Sequence, residues 1–358
     1  MHPRLHTRLC ELTGVEVPVV QTGMGWVAGP RLVSATANAG ALGILASATM
    51  DLAGLESAVD EVRRRTDKPF GVNLRVDSAD VHDRIALMID RGVKVASFAQ
   101  APKPELIARL KDAGVVVIPS IGAKRHAEKV AEWGVDAVLV QGGEGGGHTG
   151  DVPTSLLLPQ VVDAVDLPVI AAGGYFDGRG LVAALAYGAA GIAMGTRFLL
   201  TSDSPVGDDV KQVYLGKGVN DTLRTTQVDG VPHRVLRTEF TEALDRTGPV
   251  TSLPRAISNA VRFKKLSGTP WSQIIREGVA MHRSQELSWS QVIMAANTPM
   301  LLKASMVDGR PDLGVMSSGQ VVGMIDDLPS VHELVQRLLT EAEEARARLC
   351  SWGPSAAT

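Results

Sequence analysis

Short apolar runs rich in Val, Ile, Leu and Ala recur along the first two hundred residues, each bounded by turn residues and followed by a helix-length polar or Ala-rich segment. Eight runs stand out: Val17–Gly23, Leu42–Ser47, Phe70–Leu74, Val93–Phe98, Val115–Ile121, Ala137–Gly143, Pro168–Gly174 and Gly191–Phe198. They start 22 to 31 residues apart, the length of one strand plus one crossover helix. The intervening segments Leu55–Thr66, Ala79–Arg91, Lys103–Ala113, Ala123–Trp133 and Arg179–Tyr187 are dense in helix formers. Gly92, Gly114, Gly134 and Gly188 follow four of them as expected helix C-caps that feed the next strand. Eight βα units predict an α/β fold, a TIM (β/α)8 barrel, while an open doubly wound sheet satisfies the same period.

After about Thr238 the rhythm stops. The expected organisation is a barrel over 1–239, a helical cap or substrate subdomain over 240–312, and a return segment over 313–358 that ends in a charged helix, His332–Leu349. The cap is rich in Arg, Lys and Ser, including Arg255, Arg262, Lys264 and Lys265.

Composition supports the α/β reading. With 45% hydrophobic but only 4% aromatic residues, the interior must be mostly aliphatic, as suits parallel strands buried on both faces. A formal charge of −3 and the lack of a long basic run give no attraction to nucleic acid. Cys10 and Cys350 lie at opposite ends, so neither a disulfide framework nor a cysteine metal site is indicated, and the scattered histidines suggest no metal site. The first residues lack a signal-peptide core and no run reaches transmembrane length, from which a cytoplasmic enzyme without a membrane partner is expected.

Barrels of this kind bind ligands where strands end, with phosphate commonly held after the seventh and eighth strands. Strand seven ends Ala171-Ala172-Gly173-Gly174 before Asp177-Gly178-Arg179, and strand eight ends Ala193-Met194-Gly195-Thr196-Arg197. Glycine backbone can approach phosphate closely, the Thr196 hydroxyl can donate, and a following helix N-terminus would add its dipole. No P-loop or dinucleotide fingerprint is present, which favours a mononucleotide such as FMN. Strand six runs into Gln141-Gly142-Gly143-Glu144-Gly145-Gly146-Gly147-His148-Thr149-Gly150, delivering one imidazole to the mouth in a loop flat enough to lie against a ring. His148 is the acid/base candidate, with Glu144 a competitor. Thr22 and Met24 after strand one, Asn73 in strand three and Ser97 in strand four are further candidate contacts.

Pro18-Val19-Val20-Gln21-Thr22-Gly23-Met24, Gly146-Gly147-His148-Thr149-Gly150, Ala171-Ala172-Gly173-Gly174 and Met194-Gly195-Thr196-Arg197-Phe198 occur in this order. Together they resemble the ordered signature of the nitronate monooxygenase family and its relatives, the FMN-dependent enoyl-acyl-carrier-protein reductases. The resemblance covers about Val17 to Phe198 and resumes near Ser317–Gly323, leaving the cap weakly matched. It implies FMN bound by Thr22, Gly23, Met24, Asn73, Gln141, Gly146, Gly173, Gly174, Gly195 and Thr196, with His148 as the catalytic histidine and Gln320 on the segment that closes the flavin pocket.

The chain is also similar to actinobacterial members of steroid-ring degradation that act on coenzyme A esters. That similarity implies hydride exchange between FMN and the α,β carbon–carbon bond of a cyclic, steroid-derived acyl-CoA, with NADH or NADPH as transient redox partner. Arg262, Lys264 and Lys265 of the cap would suit the coenzyme A phosphates. A nitronate monooxygenase using O2 is the first alternative. The second is a barrel acting on a phosphorylated metabolite without flavin, for which Lys94, the only lysine in an expected strand, lies at the wrong end. Apolar surface on the barrel helices is compatible with a homodimer.

Overall fold

A computed structural model describes residues 5–246 and 297–351. Every one of the eight apolar runs forms a strand, all but Phe70–Leu74 shortened at one or both ends: β1 (Val19–Gln21), β2 (Leu42–Ala46), β3 (Phe70–Leu74), β4 (Val95–Phe98), β5 (Val116–Ile121), β6 (Val138–Gln141), and, after a two-residue strand β7 (Gly147–His148) outside the barrel, β8 (Val169–Ala172) and β9 (Gly191–Met194). The barrel strands pair in parallel, in the order β1-β2-β3-β4-β5-β6-β8-β9. β1 closes the ring on β9 through Val19↔Ile192, Val20↔Ala193 and Gln21↔Met194, which replaces the open-sheet alternative with a TIM barrel. The residues trimmed from the runs, such as Thr22-Gly23, Gly142-Gly143 and Gly173-Gly174, peel away as loops at the C-terminal mouth.

The helices are α1 (Arg8–Thr13), α2 (Pro30–Asn38), α3 (Leu52–Arg65), α4 (Val81–Asp90), α5 (Pro104–Asp112), α6 (Lys124–Glu132), α7 (Thr154–Val162), α8 (Gly178–Ala186), α9 (Thr196–Leu199), α10 (Asp208–Leu215), α11 (Glu239–Asp245), α12 (Asn297–Met306) and α13 (Val331–Cys350). Gly92, Gly114, Gly134 and Gly188 each follow a helix with φ between +62° and +89°, the left-handed conformation that the repeated helix-to-strand junction requires.

Two apolar layers result from the alternation of strand side chains. Val20, Leu42, Ile44, Val95, Ile118, Leu139 and Ile170 fill the barrel, and Leu9 and Cys10 of α1 plug its lower end. Val19, Leu45, Val72, Phe98, Val138 and Val169 point outward against the ring of helices. A Cβ on Gly191 would lie 2.5 Å from the Pro18 carbonyl oxygen and 2.8 Å from Leu9, so glycine lets α1 and β1 approach.

Beyond β9 the chain adds β10 (Thr222–Thr225) and β11 (His233–Leu236), which form an antiparallel sheet of order β10-β11-β7 over the mouth. The sequence rhythm does not predict this sheet. Of the expected cap, α11 and α12 fall among the described residues, whereas Arg255, Arg262, Lys264 and Lys265 lie outside them. The charged final helix is α13, opened by a reciprocal cap in which Ser330 Oγ accepts from Glu333 N at 3.2 Å and Glu333 accepts from Ser330 N at 2.8 Å. Its Leu334, Val335, Leu338 and Ala342 recur at helical spacing and are buried. The helix packs closely on α8, where a Cβ on Gly178 would lie 2.3 Å from Ala342 N.

Candidate active site

A cavity of about 1020 Å³ opens at the C-terminal mouth. Its size sits at the top of the roughly 300–1,000 Å³ range of single small-molecule sites, leaving room for more than one ligand. Thr22, Gly23, Met24, Asn73, Gln141, Gly146, Gly173, Gly174, Gly195, Thr196 and His148 all line it, as does Ser97. Gln320 does not; Gly319 and Val321 beside it do, while the Gln320 backbone N–H donates to Glu144 O at 3.0 Å. The returning chain thus reaches the cavity through its backbone at Gly319.

The rim after β8 and β9 is a cradle of backbone. Gly173 and Gly174 have φ of +97° and +83°, two consecutive residues in the left-handed region that favours glycine. A Cβ on Gly174 would meet nothing nearer than Glu144 at 3.8 Å, so conformation rather than crowding requires glycine there. A Cβ on Gly195 would point at Thr22 Oγ1, 3.3 Å, and Met24 Sδ, 3.4 Å, so its absence opens the cradle between the two strand ends. Thr196 Oγ1 accepts from Gly319 N at 3.0 Å and keeps its own proton to donate.

The expected helix dipole after strand seven is not available. Asp177 caps α8 by accepting from Gly180 N at 3.0 Å, and Glu341 accepts from Gly178 N at 2.8 Å. Two signature glycines also have a reason other than a ligand. A Cβ would lie 2.5 Å from the Asn73 Cβ at Gly23 and 2.5 Å from the Ser318 carbonyl carbon at Gly146.

Beside this neutral cradle, on the loop that leaves the neighbouring strand β6, stands a charged cluster. The glycine loop is fixed from both sides: Gln141 Nε2 donates to His148 O at 2.8 Å, and the Arg234 guanidinium donates to Gly143 O at 2.9 and 3.2 Å. β7 then pairs with β11 in the register His233↔His148 and Arg234↔Gly147. His148 Nε2 lies 2.6 Å from Asp229 Oδ2, which also accepts from Thr298 Oγ1 at 2.8 Å. Since a carboxylate only accepts, Nε2 carries the proton and Nδ1 is the free nitrogen of an imidazole that is 55% exposed to the cavity.

Burial pulls the His148 pKa down, but the hydrogen bond and charge of Asp229 outweigh it and the net shift is upward. Burial acts on Asp229 in the opposite sense to its histidine neighbours, which hold its carboxyl far below the usual range. His233, fully buried, is shifted down by desolvation; its Nε2 contacts Ser317 Oγ at 2.8 Å and its Nδ1 faces Asp229 at 3.8 Å, too far for a hydrogen bond.

Glu144 leaves the competition for the acid/base role. Its carboxylate accepts from Thr154 N at 2.9 Å and Thr154 Oγ1 at 2.7 Å, capping α7. Asp229, His233, Thr298 and Ser317 were not among the residues the sequence suggested. Asp229-Gly230 between Thr222–Thr225 and His233–Leu236 is a hairpin signal that could have placed β10 and β11, but nothing local ties it to His148.

Against the reading of scattered histidines, the fold gathers His148, Asp229 and His233 so that their ligand atoms lie within 4.8 Å of one another. The 2.6 Å separation of His148 Nε2 and Asp229 Oδ2 is that of a hydrogen-bonded pair, too short for two ligands each about 2.0–2.2 Å from one zinc-like ion in tetrahedral array. The arrangement fits an oriented base: a proton arriving at Nδ1 creates an imidazolium stabilised by the buried carboxylate.

Comparison with known proteins finds relatives along nearly the whole chain. The chain is 64% identical over 342 residues to the (3aS,4S,5R,7aS)-5-hydroxy-7a-methyl-1-oxo-octahydro-1H-indene-4-carboxyl-CoA dehydrogenase of Mycobacterium tuberculosis, covering 95% of this chain and 96% of that one. It is 61% identical over 338 residues to the Rhodococcus jostii protein of the same name, covering 94% and 96%. The structure of FabK from Thermotoga maritima superposes with a TM-score of 0.81 at 32% identity, over 97% of this chain and 99% of that one. Residues 6–341 match the nitronate monooxygenase family, and the chain belongs to that family of oxidoreductases.

Proposed function

We propose that this protein is an FMN-dependent dehydrogenase that oxidises the α,β carbon–carbon bond of a cyclic, steroid-derived acyl-CoA, with a nicotinamide nucleotide as redox partner, in steroid ring breakdown. The observation that carries the reading is an oriented base, His148 on Asp229, that shares one cavity with a glycine-rich backbone cradle. The two relatives named for an indene-carboxyl-CoA substrate supply the chemical class.

The residues present fit FMN. Gly173, Gly174, Gly195 and Thr196 would hold its phosphate, and Thr22, Gly23, Met24 and Asn73 would flank its rings. Held there, FMN supplies a two-electron acceptor for the β-hydrogen. The protein's own part is acid–base and positional. His148 Nδ1 takes the α-proton, whose acidity the thioester carbonyl raises, and Asp229 stabilises the charge that appears on the ring. Thr298 and the Val231 N–H, 3.2 Å from Asp229 Oδ1, hold the carboxylate in place.

The test is anaerobic mixing of the purified, yellow holoenzyme with the indene-carboxyl-CoA thioester of the relatives' names, followed by mass analysis. Bleaching of the visible band, with a product two hydrogens lighter and a double bond conjugated to the thioester, is expected. Oxidation of the 5-hydroxyl instead would move the reaction to the alcohol, and bleaching only by an alkyl nitronate would favour the monooxygenase.

A further inference from the structure

The cavity carries a second electrically distinct rim. In the barrel order, β4 stands four strands from β9, and β5 stands two from β8 and three from β9, so the loops after them occupy a side of the mouth away from the phosphate cradle. From that far side the wall includes Gln100 after β4 and, on α6 after β5, His126 and Lys129. His126 and Lys129 are three residues apart and so lie on one face of the helix.

The charges on the wall do not cancel. Asp77 is held by the Arg75 fork at 2.7 and 3.0 Å, and Asp229 by His148 at 2.6 Å. Lys129 also lines the cavity, and among the described residues no carboxylate pairs with it; its ammonium sits 4.9 Å from the Trp133 ring centroid. Arg125 and Lys129 together hold the His126 pKa down after burial, a sign that positive potential dominates this rim. An anion bound here is a different one from any phosphate in the cradle.

We infer that the rim formed by Lys129 and His126 is the subsite for the phosphates of the coenzyme A nucleotide. The inference rests on the acyl-CoA reading proposed above. With the thioester at His148 in the middle of the mouth, the pantetheine arm runs outward over the ends of β4 and β5, and the phosphates reach the Lys129 ammonium. The same chemistry would suit the phosphates of a nicotinamide nucleotide, so the test separates the two.

Lys129→Glu, with Lys129→Gln as a milder partner, is compared with the wild-type holoenzyme on the indene-carboxyl thioester of coenzyme A and on the same acyl group carried by pantetheine alone. For the coenzyme A ester, KM is expected to rise about tenfold in Lys129→Glu, the scale of one charge-assisted contact. KM for the pantetheine ester should stay put, and added salt should raise only the wild-type KM for the coenzyme A ester. Equal KM changes for both esters, no change for either, or a change confined to the nicotinamide nucleotide would each overturn the inference. A wild-type enzyme that oxidises neither ester would overturn the acyl-CoA reading beneath it.

Discussion

The two sides of the cavity are built from different materials. The cradle after β8 and β9 is nearly all main chain, Gly173, Gly174 and Gly195 with one hydroxyl from Thr196, and carries no charged side chain. The side carrying His148 is made of polar side chains from three distant stretches: the titratable His148 on β7 and Asp229 and His233 around β11, with the hydroxyl of Thr298 on α12. Backbone amides keep their polarity at every pH and suit a ligand that stays bound. An imidazole tuned by a buried carboxylate suits a proton that must come and go.

The contrast can be broken at either side. The largest effect is expected from Gly174→Val, which places a β-branched residue at φ +83° and disturbs the cradle. Flavin should be lost, with the visible band near zero and turnover at background, while far-ultraviolet circular dichroism keeps its barrel shape. Retention of stoichiometric flavin would remove Gly174 from the cradle. Next comes His148→Ala, expected to lower kcat by about 10²–10⁴-fold, the range of a general acid–base group, with the flavin band unchanged. If flavin left together with activity, the two sides would not be separable.

Asp229→Asn is expected to have an intermediate effect that sharpens the comparison through pH. In the wild type the raised His148 pKa means that the free base forms only above the ordinary 6.5, so kcat/KM should climb through an acid limb lying above that value. The amide would lack the charge that raises it, and the limb should move to lower pH while the plateau falls. An unmoved limb would show that the titration seen is not that of His148. The stability linkage has two signs. The His148 contribution is full below the unfolded value of 6.5 and is lost as pH rises through the higher folded value. The Asp229 contribution is present above about 3.8 and is lost as pH falls through its depressed value. The smallest effect belongs to Thr298→Val, which deletes one neutral hydroxyl from Asp229 Oδ2. A several-fold loss of kcat with KM unchanged is expected, on the scale of about 1 kcal/mol for one hydrogen bond.

Much of the cradle was legible because it is local. Glycine at the end of a strand states a backbone need within two or three residues, and Gly173, Gly174, Gly195 and Thr196 all reach the cavity. Gly23 and Gly146 line the cavity too, but there glycine is also required by close neighbours far along the chain, Asn73 and Ser318. Glu144 misled for a related reason. Its role is set by Thr154, ten residues on, whose N-terminal helix position needs an acceptor. The charged side was half legible: His148 announced itself by its loop, but Asp229 lies 81 residues away and contributes only because β11 pairs with β7.

By itself the sequence determined eight βα units, since aliphatic runs at a near-constant period, separated by helices of which four end at Gly92, Gly114, Gly134 and Gly188, leave few ways to bury their faces, and the pairing of β1 with β9 then closed them into a barrel. It also placed glycine backbone rather than charged side chains after the last two barrel strands, where Gly173, Gly174 and Gly195 line the cavity. Only the tertiary structure decided which nitrogen of His148 faces the cavity, which carboxylate tunes it, and which cation on the far rim, among the described residues, has no carboxylate beside it. These depend on distances between side chains dozens of residues apart, and a hydrogen bond or an ion pair is set by ångströms in space, which spacing along the chain does not encode.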